Sequence, residues 1–178
     1  MKGFIILLLL LLTTTSCSQE SKEPKWKIGD ERVGNEPHRK AINGFGSHLL
    51  MVKDPQEVIK MWNRPEKPDI QSPKQFGFGE SIGVIILFAG CKPDDRGVCN
   101  TEVDFMVFKP DGKLLTERKK QKLWKKTAPP PANTHLGEAV LGFVTAKELP
   151  VGEYKVRAIL YDLNADITME LETQFLLQ

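Results

Sequence analysis

The chain has 178 residues, enough for one domain with tails and a real core, and too few for a two-domain enzyme. With 25 Lys+Arg against 23 Asp+Glu, the net charge of +2 excludes a protein whose whole surface grips nucleic acid. Hydrophobic residues make up 40%, a composition that folds.

Lys2 precedes the unbroken apolar run Phe4 to Leu12, and Thr13-Thr14-Thr15-Ser16-Cys17 follows. A transmembrane helix needs about 20 apolar residues, whereas this run has the length of a signal-peptide core, so residues 1–16 read as an export signal. A cysteine directly after small residues at that point resembles the lipobox of bacterial lipoproteins, although Thr14 stands where an apolar residue is usual. The resemblance implies cleavage before Cys17 and lipid, palmitate included, on the new terminus. It places the protein in the cell envelope, at the outer membrane and facing the periplasm. The alternative is cleavage after Ser16 that leaves Cys17 as a spare thiol.

Residues 17–44 are polar, hold Gly29, Gly34 and Pro37, and lack periodicity, so they read as a flexible tether, with Trp26 as a packing anchor. The folded domain is expected over 45–178. His48 to Val52 reads as a strand. Asp54-Pro55-Gln56-Glu57 then starts a helix over about 55–63, with Asp as N-cap, Pro at the first helical position and Val58, Ile59, Met61 and Trp62 as the apolar face. Pro65, Pro68 and Pro73 forbid regular structure before Gln75.

Strands dominate from about residue 80. Ile82 to Ala89 is almost wholly apolar, as in a central strand. Cys91 and Cys99 enclose a turn-rich loop and are expected to pair, stapling a hairpin, with two metal-binding thiolates as the weaker alternative. Val103, Phe105 and Val107 alternate with Asp104 and Met106, and Lys109-Pro110-Asp111-Gly112-Lys113 turns into a hairpin. Ala139, Leu141 and Phe143 alternate, as do Tyr154 to Leu160 and Met169 to Leu177 at every second position. One apolar and one largely polar face per strand predicts antiparallel sheets packed on one side.

The segment Leu149 to Ala158, with Gly152 two residues before Tyr154, resembles the penultimate strand of immunoglobulin-like sandwiches and their tyrosine corner. Val156 stands where antibody domains carry a cysteine. The resemblance implies a mainly β protein, an immunoglobulin-like antiparallel sandwich with one short N-terminal helix and no inter-sheet disulfide; it implies nothing catalytic.

Groups for catalysis are sparse. His38, His48 and His135 share no motif, and Gly44 to His48 lacks the spacing of a nucleophile elbow around Ser47. Asp94 and Asp95 beside Gly97 and Asn100 depart from the calcium-loop spacing and read as a solvated turn. No catalytic residue, metal, cofactor or small-molecule substrate is therefore expected. The outstanding feature is Lys109 to Lys126, where eight lysines and arginines meet only Asp111 and Glu117, +6 in eighteen residues on a chain otherwise −4. Arg118, Lys119, Lys120 and Lys122 with Trp124 read as a docking surface for an acidic partner, here a periplasmic or envelope protein. They read equally as an edge strand guarded by lysines, with Trp124 turned inward. Export removes nucleic acid as a target. The expected function is non-catalytic binding, of inhibitor or immunity type, with a structural subunit of a secretion or surface apparatus as the alternative.

Overall fold

A computed structural model describes residues 27–28, 31–32, 34–66 and 68–178. The export signal, Cys17 and Trp26 lie outside the described residues. Among those described, no helix is long and apolar enough to cross a membrane.

The chain is mainly β, in two packed sheets. β1 (Lys27–Ile28) and β2 (Glu31–Arg32) form a separate two-stranded pair. The first sheet of the sandwich has the order β3 (Arg39–Ile42), β4 (Phe45–Val52), β6 (Ser81–Ala89), β9 (His135–Val144). The second has the order β5 (Gln75–Phe76), β11 (Ile167–Leu177), β10 (Gly152–Asp162), β7 (Thr101–Phe108), β8 (Leu114–Trp124). All neighbours are antiparallel except β5, which runs parallel to β11. In immunoglobulin lettering β4, β6 and β9 stand as A, B and E, and β7, β8, β10 and β11 as C, C′, F and G. Strand D has no counterpart among the described residues.

The alternation read from the sequence is the alternation observed. Tyr154, Val156, Ala158 and Leu160 are buried from β10, as are Met169, Leu171, Phe175 and Leu177 from β11. Across the interface they meet Leu49 and Met51 of β4 and Ile82, Val84, Ile86 and Phe88 of β6. The Tyr154 hydroxyl donates to the Pro150 carbonyl at 2.8 Å, which closes the tyrosine corner and contributes about 1 kcal/mol net. β6 is apolar on both faces because both faces are covered. Its outer side joins Leu50, Val52 and Val58 in a second, smaller core around Ile85.

That second core lies under α1 (Pro55–Trp62). The Asp54 carboxylate accepts from the Gln56 and Glu57 amides at 2.9 and 3.0 Å, the expected N-cap, a feature whose loss costs about 1 kcal/mol. Gly83 is needed where the helix lands, since a Cβ there would lie 2.8 Å from the Pro55 ring.

Two expectations need correcting. The tether does not reach residue 44: β3 pairs with β4 from Arg39↔His48 to Ile42↔Phe45, so the sandwich begins before Phe45. The cause is a buried charge that periodicity cannot see. Arg39 is 4% exposed and pairs with Glu36 at 3.1 Å. Cys91 and Cys99 do form a disulfide, with Cα atoms 6.0 Å apart, and the loop it closes folds back on itself through the antiparallel Pro93↔Cys99 bridge, but the flanking strands do not pair as a hairpin. β6 and β7 belong to opposite sheets, so the bond closes the loop that carries the chain between them.

Candidate functional site

The basic segment is the edge strand β8, paired among the described residues with β7 alone. Three register shifts interrupt that ladder, near Thr101, Val103 and Val107. At the middle one, Asp104 anchors the extra residue: its carboxylate accepts from the Lys120 amide at 2.6 Å and the Tyr161 hydroxyl at 3.0 Å. Lys120 accordingly takes a positive φ of 52°. Bulges and lysines are the two usual devices that stop an edge from pairing with foreign strands.

Arg118, Lys119, Lys120 and Lys122 are exposed, as the sequence suggested, yet their charge is partly neutralised. Lys119 pairs with Glu117 at 3.1 Å. Lys120 and Lys125 reach Glu102 at 3.9 and 2.5 Å, and Lys122 and Lys126 reach Glu138 at 2.7 and 2.8 Å. The two lysines beside Glu138 hold its carboxyl below the usual range. Lys120 also sits 3.6 Å from the centre of the Tyr161 ring. Such exposed pairs are worth at most about 1 kcal/mol each. Of the four cations, Arg118 alone has no carboxylate within ion-pair distance among the described residues.

Trp124 is turned inward. Its ring lies 5.4 Å from Phe88 and 5.8 Å from His135, its indole N–H donates to the Thr127 carbonyl at 3.0 Å, and Lys126 covers its outer face at 3.9 Å. It therefore fixes the end of β8 instead of projecting towards a partner. Gly137 of β9 belongs to the same junction, because a Cβ there would run into Leu123. Nothing in the sequence marks Glu102, Asp104, Glu138 and Tyr161 as partners of the basic segment. Each is an ordinary polar position on its own strand, and only the fold brings it to β8.

Beyond the end of β8 three loops are bound together. Cys99 donates from its amide to the Lys126 carbonyl at 3.0 Å and Ala128 to that of Gly97 at 2.9 Å. The Asn164 side-chain amide donates to the Lys92 and Val98 carbonyls, both at 2.9 Å. Asp162, fully buried, accepts from the Lys92 amide at 2.7 Å, although burial raises its pKa. Asp94 is spent on the turn itself, accepting from the Arg96 and Val98 amides and from the Arg96 guanidinium.

The residues considered for catalysis fall as follows. Ser47 has no exposure, so its hydroxyl cannot meet a substrate. His38 and His48 lie side by side, ring centres 5.1 Å apart. Burial chiefly, with His38, Arg39 and Lys74 adding to it, pushes His48 down to about 4 and keeps it neutral at physiological pH. His48 and His135 line a groove of about 650 Å³ with Trp62, Leu87, Asp69 and Asn133. Among the described residues no three His, Cys, Asp or Glu side chains are grouped to hold a metal ion.

Strand order, register and tyrosine corner define an immunoglobulin-like β-sandwich protein with a bulged basic edge. No family model and no curated protein matches the sequence. Several solved structures resemble it in outline. An immunoglobulin-like protein from Pseudomonas aeruginosa is 14% identical over 73% of this chain and 91% of its own, with a TM-score of 0.35. An alkylpurine DNA glycosylase of Pseudomonas fluorescens is 13% identical over 76% of this chain and 30% of its own, at 0.44. A Niemann-Pick type C2 protein from the Japanese carpenter ant is 8% identical over 73% and 89%, at 0.41. At such scores none of them carries an argument about function.

Proposed function

We propose that the protein is an envelope lipoprotein, anchored through lipid on Cys17 at the outer membrane and facing the periplasm. There it binds an acidic periplasmic protein and inhibits or neutralises it, without catalysis. One observation carries the reading: Arg118, Lys119, Lys120 and Lys122 are exposed together on a single edge strand. Glu102 and Glu138 hold the surrounding lysines in place. An acidic surface can exchange these weak surface pairs for its own carboxylates, gaining on-rate and specificity from a field that is already oriented. Trp124 supports the strand from within.

Replacing Lys119, Lys120 and Lys122 together by Glu is expected to abolish capture of the partner from envelope extracts while circular dichroism still shows the folded domain, since the pairs lost to Glu117, Glu102 and Glu138 are weak surface pairs. Undiminished capture would return the strand to the simple role of a guarded edge. Palmitate labelling of the wild-type chain, lost in Cys17→Ala, is the expected sign of the anchor; labelling that persists in the variant would remove it.

A further inference from the structure

The chain enters the sandwich through β3, which is weakly secured. β3 has four residues, lies at a sheet edge and pairs among the described residues with β4 alone. A few bonds fix its approach. The Asn35 side-chain oxygen accepts from the Ala41 amide at 2.9 Å, the His38 carbonyl from the Leu49 amide at 2.8 Å and the Pro37 carbonyl from the Glu172 amide at 2.8 Å. Short edge elements of this kind open at a lower free energy than the whole domain.

What β3 presses against β4 is charge. Residues directly opposite in a ladder share a face, so Arg39, buried, stands beside His48. The ring of His38 is 5.1 Å from that of His48, which burial and the nearby bases already hold neutral. Burial lowers His38 as well, against the opposing pull of Glu36. The Glu36 carboxylate reaches His38 at 3.4 Å and Arg39 at 3.1 Å, so one carboxylate serves two bases. Lys74, in the crossing before β5, donates to the Thr173 hydroxyl at 2.8 Å. Of the carboxylates on that side, Glu172 pairs with Lys155 and Arg157, and Glu153 lies in the groove that His38 shares with Lys74. Towards β6, His48 faces Leu87, and Asp69 across the larger groove holds the Gln71 side-chain amide.

We propose that β3 and its approach from Asn35 form an acid-released latch: protons on His38 and His48, set beside Arg39 and Lys74, drive the segment off β4. The sign follows from where protons bind. Docked, His48 resists protonation; released, it regains water and its ordinary affinity for a proton, so acidification below about pH 6.5 favours release. Between pH 7 and pH 5 the docked state should lose about 20-fold against the released one, while Glu36 is still ionised. Release would bare the edge of β4 and add up to about 30 Å of extended chain, residues 34–42, ahead of the domain. The latch needs neither the partner nor the lipid proposed above.

Hydrogen exchange of the exported chain, corrected for the intrinsic pH dependence of amide chemistry, reads the latch at Ala41 and Leu49, whose amides are held by Asn35 and His38. Protection at both should fall about 20-fold from pH 7 to pH 5. Val156 and Ala158, in a strand paired on both sides, should keep theirs. His48→Gln should lose most of the response. Unchanged protection in the wild type would overturn the proposal, as would an equal loss at Val156 and Ala158, which is global acid unfolding, or a full response in His48→Gln, which assigns it to other groups. Should the variant not fold, the wild-type His48 ring followed by NMR decides. A ring that charges in step with the loss of Ala41 protection supports the latch; charging without that loss, or that loss without charging, overturns it.

Discussion

Phe175→Ala is expected to destabilise the domain by about 3–5 kcal/mol, the upper range for a buried aromatic truncated to a methyl group. Phe175 is 1% exposed and stands in β11 where both sheets and the short strand β5 meet. Its ring stacks on Tyr154 at 5.0 Å, meets Phe76 edge-on at 5.5 Å and lies 6.2 Å from Phe143. Truncation would remove contacts with β5, β9 and β10 together. The cavity cannot collapse without moving the tyrosine corner, since Tyr154 is held at its far end by Pro150. Chemical denaturation of the wild type and of Phe175→Ala measures the difference. Phe175→Leu, which refills part of the volume, should recover more than half of it. A loss below about 1 kcal/mol for the alanine variant would show that these rings are not one packed unit.

The same residue shows how much was legible in the sequence. Phe175 declares itself through the period of two in Met169 to Leu177, and the Gly152–Tyr154 spacing gives the corner it stacks against. Period and turn chemistry are local, and they placed β4, β6, β7, β9, β10, β11 and α1. Short or charged elements are not legible in that way. β3 buries Arg39 where a strand should be apolar, and β5 has only two residues. Connectivity was less legible still. Two apolar strands joined by a turn-rich loop look alike whether they form a hairpin or cross between sheets, so the sequence around Cys91 and Cys99 does not distinguish the two. The basic segment was conspicuous because its cations are consecutive in sequence. Its counter-ions Glu102 and Glu138 were not, because they reach it only across the β7 ladder and the β9 junction.

Replacing Cys91 and Cys99 together by alanine is expected to cost about 2.5 kcal/mol from chain entropy alone, given the separation of eight residues. Both half-cystines are also buried within the main core, 6% and 0% exposed, so lost packing adds to that figure. The consequence should not stay inside the loop. Gly97 and Cys99 take part in the backbone bonds to Ala128 and Lys126, and Lys92 and Val98 supply the carbonyls that hold Asn164. Releasing the staple therefore loosens all three loops and, through Lys126, the end of β8 on which Trp124 and the Glu138 pairs depend. Denaturation of the double variant measures the first effect, and hydrogen exchange at 97–100, 126–128 and 162–165 measures the second. Faster exchange confined to 91–99 would mean that the neighbouring loops hold themselves. Faster exchange throughout, with weaker partner capture, would mean that the disulfide orders the basic edge from a distance.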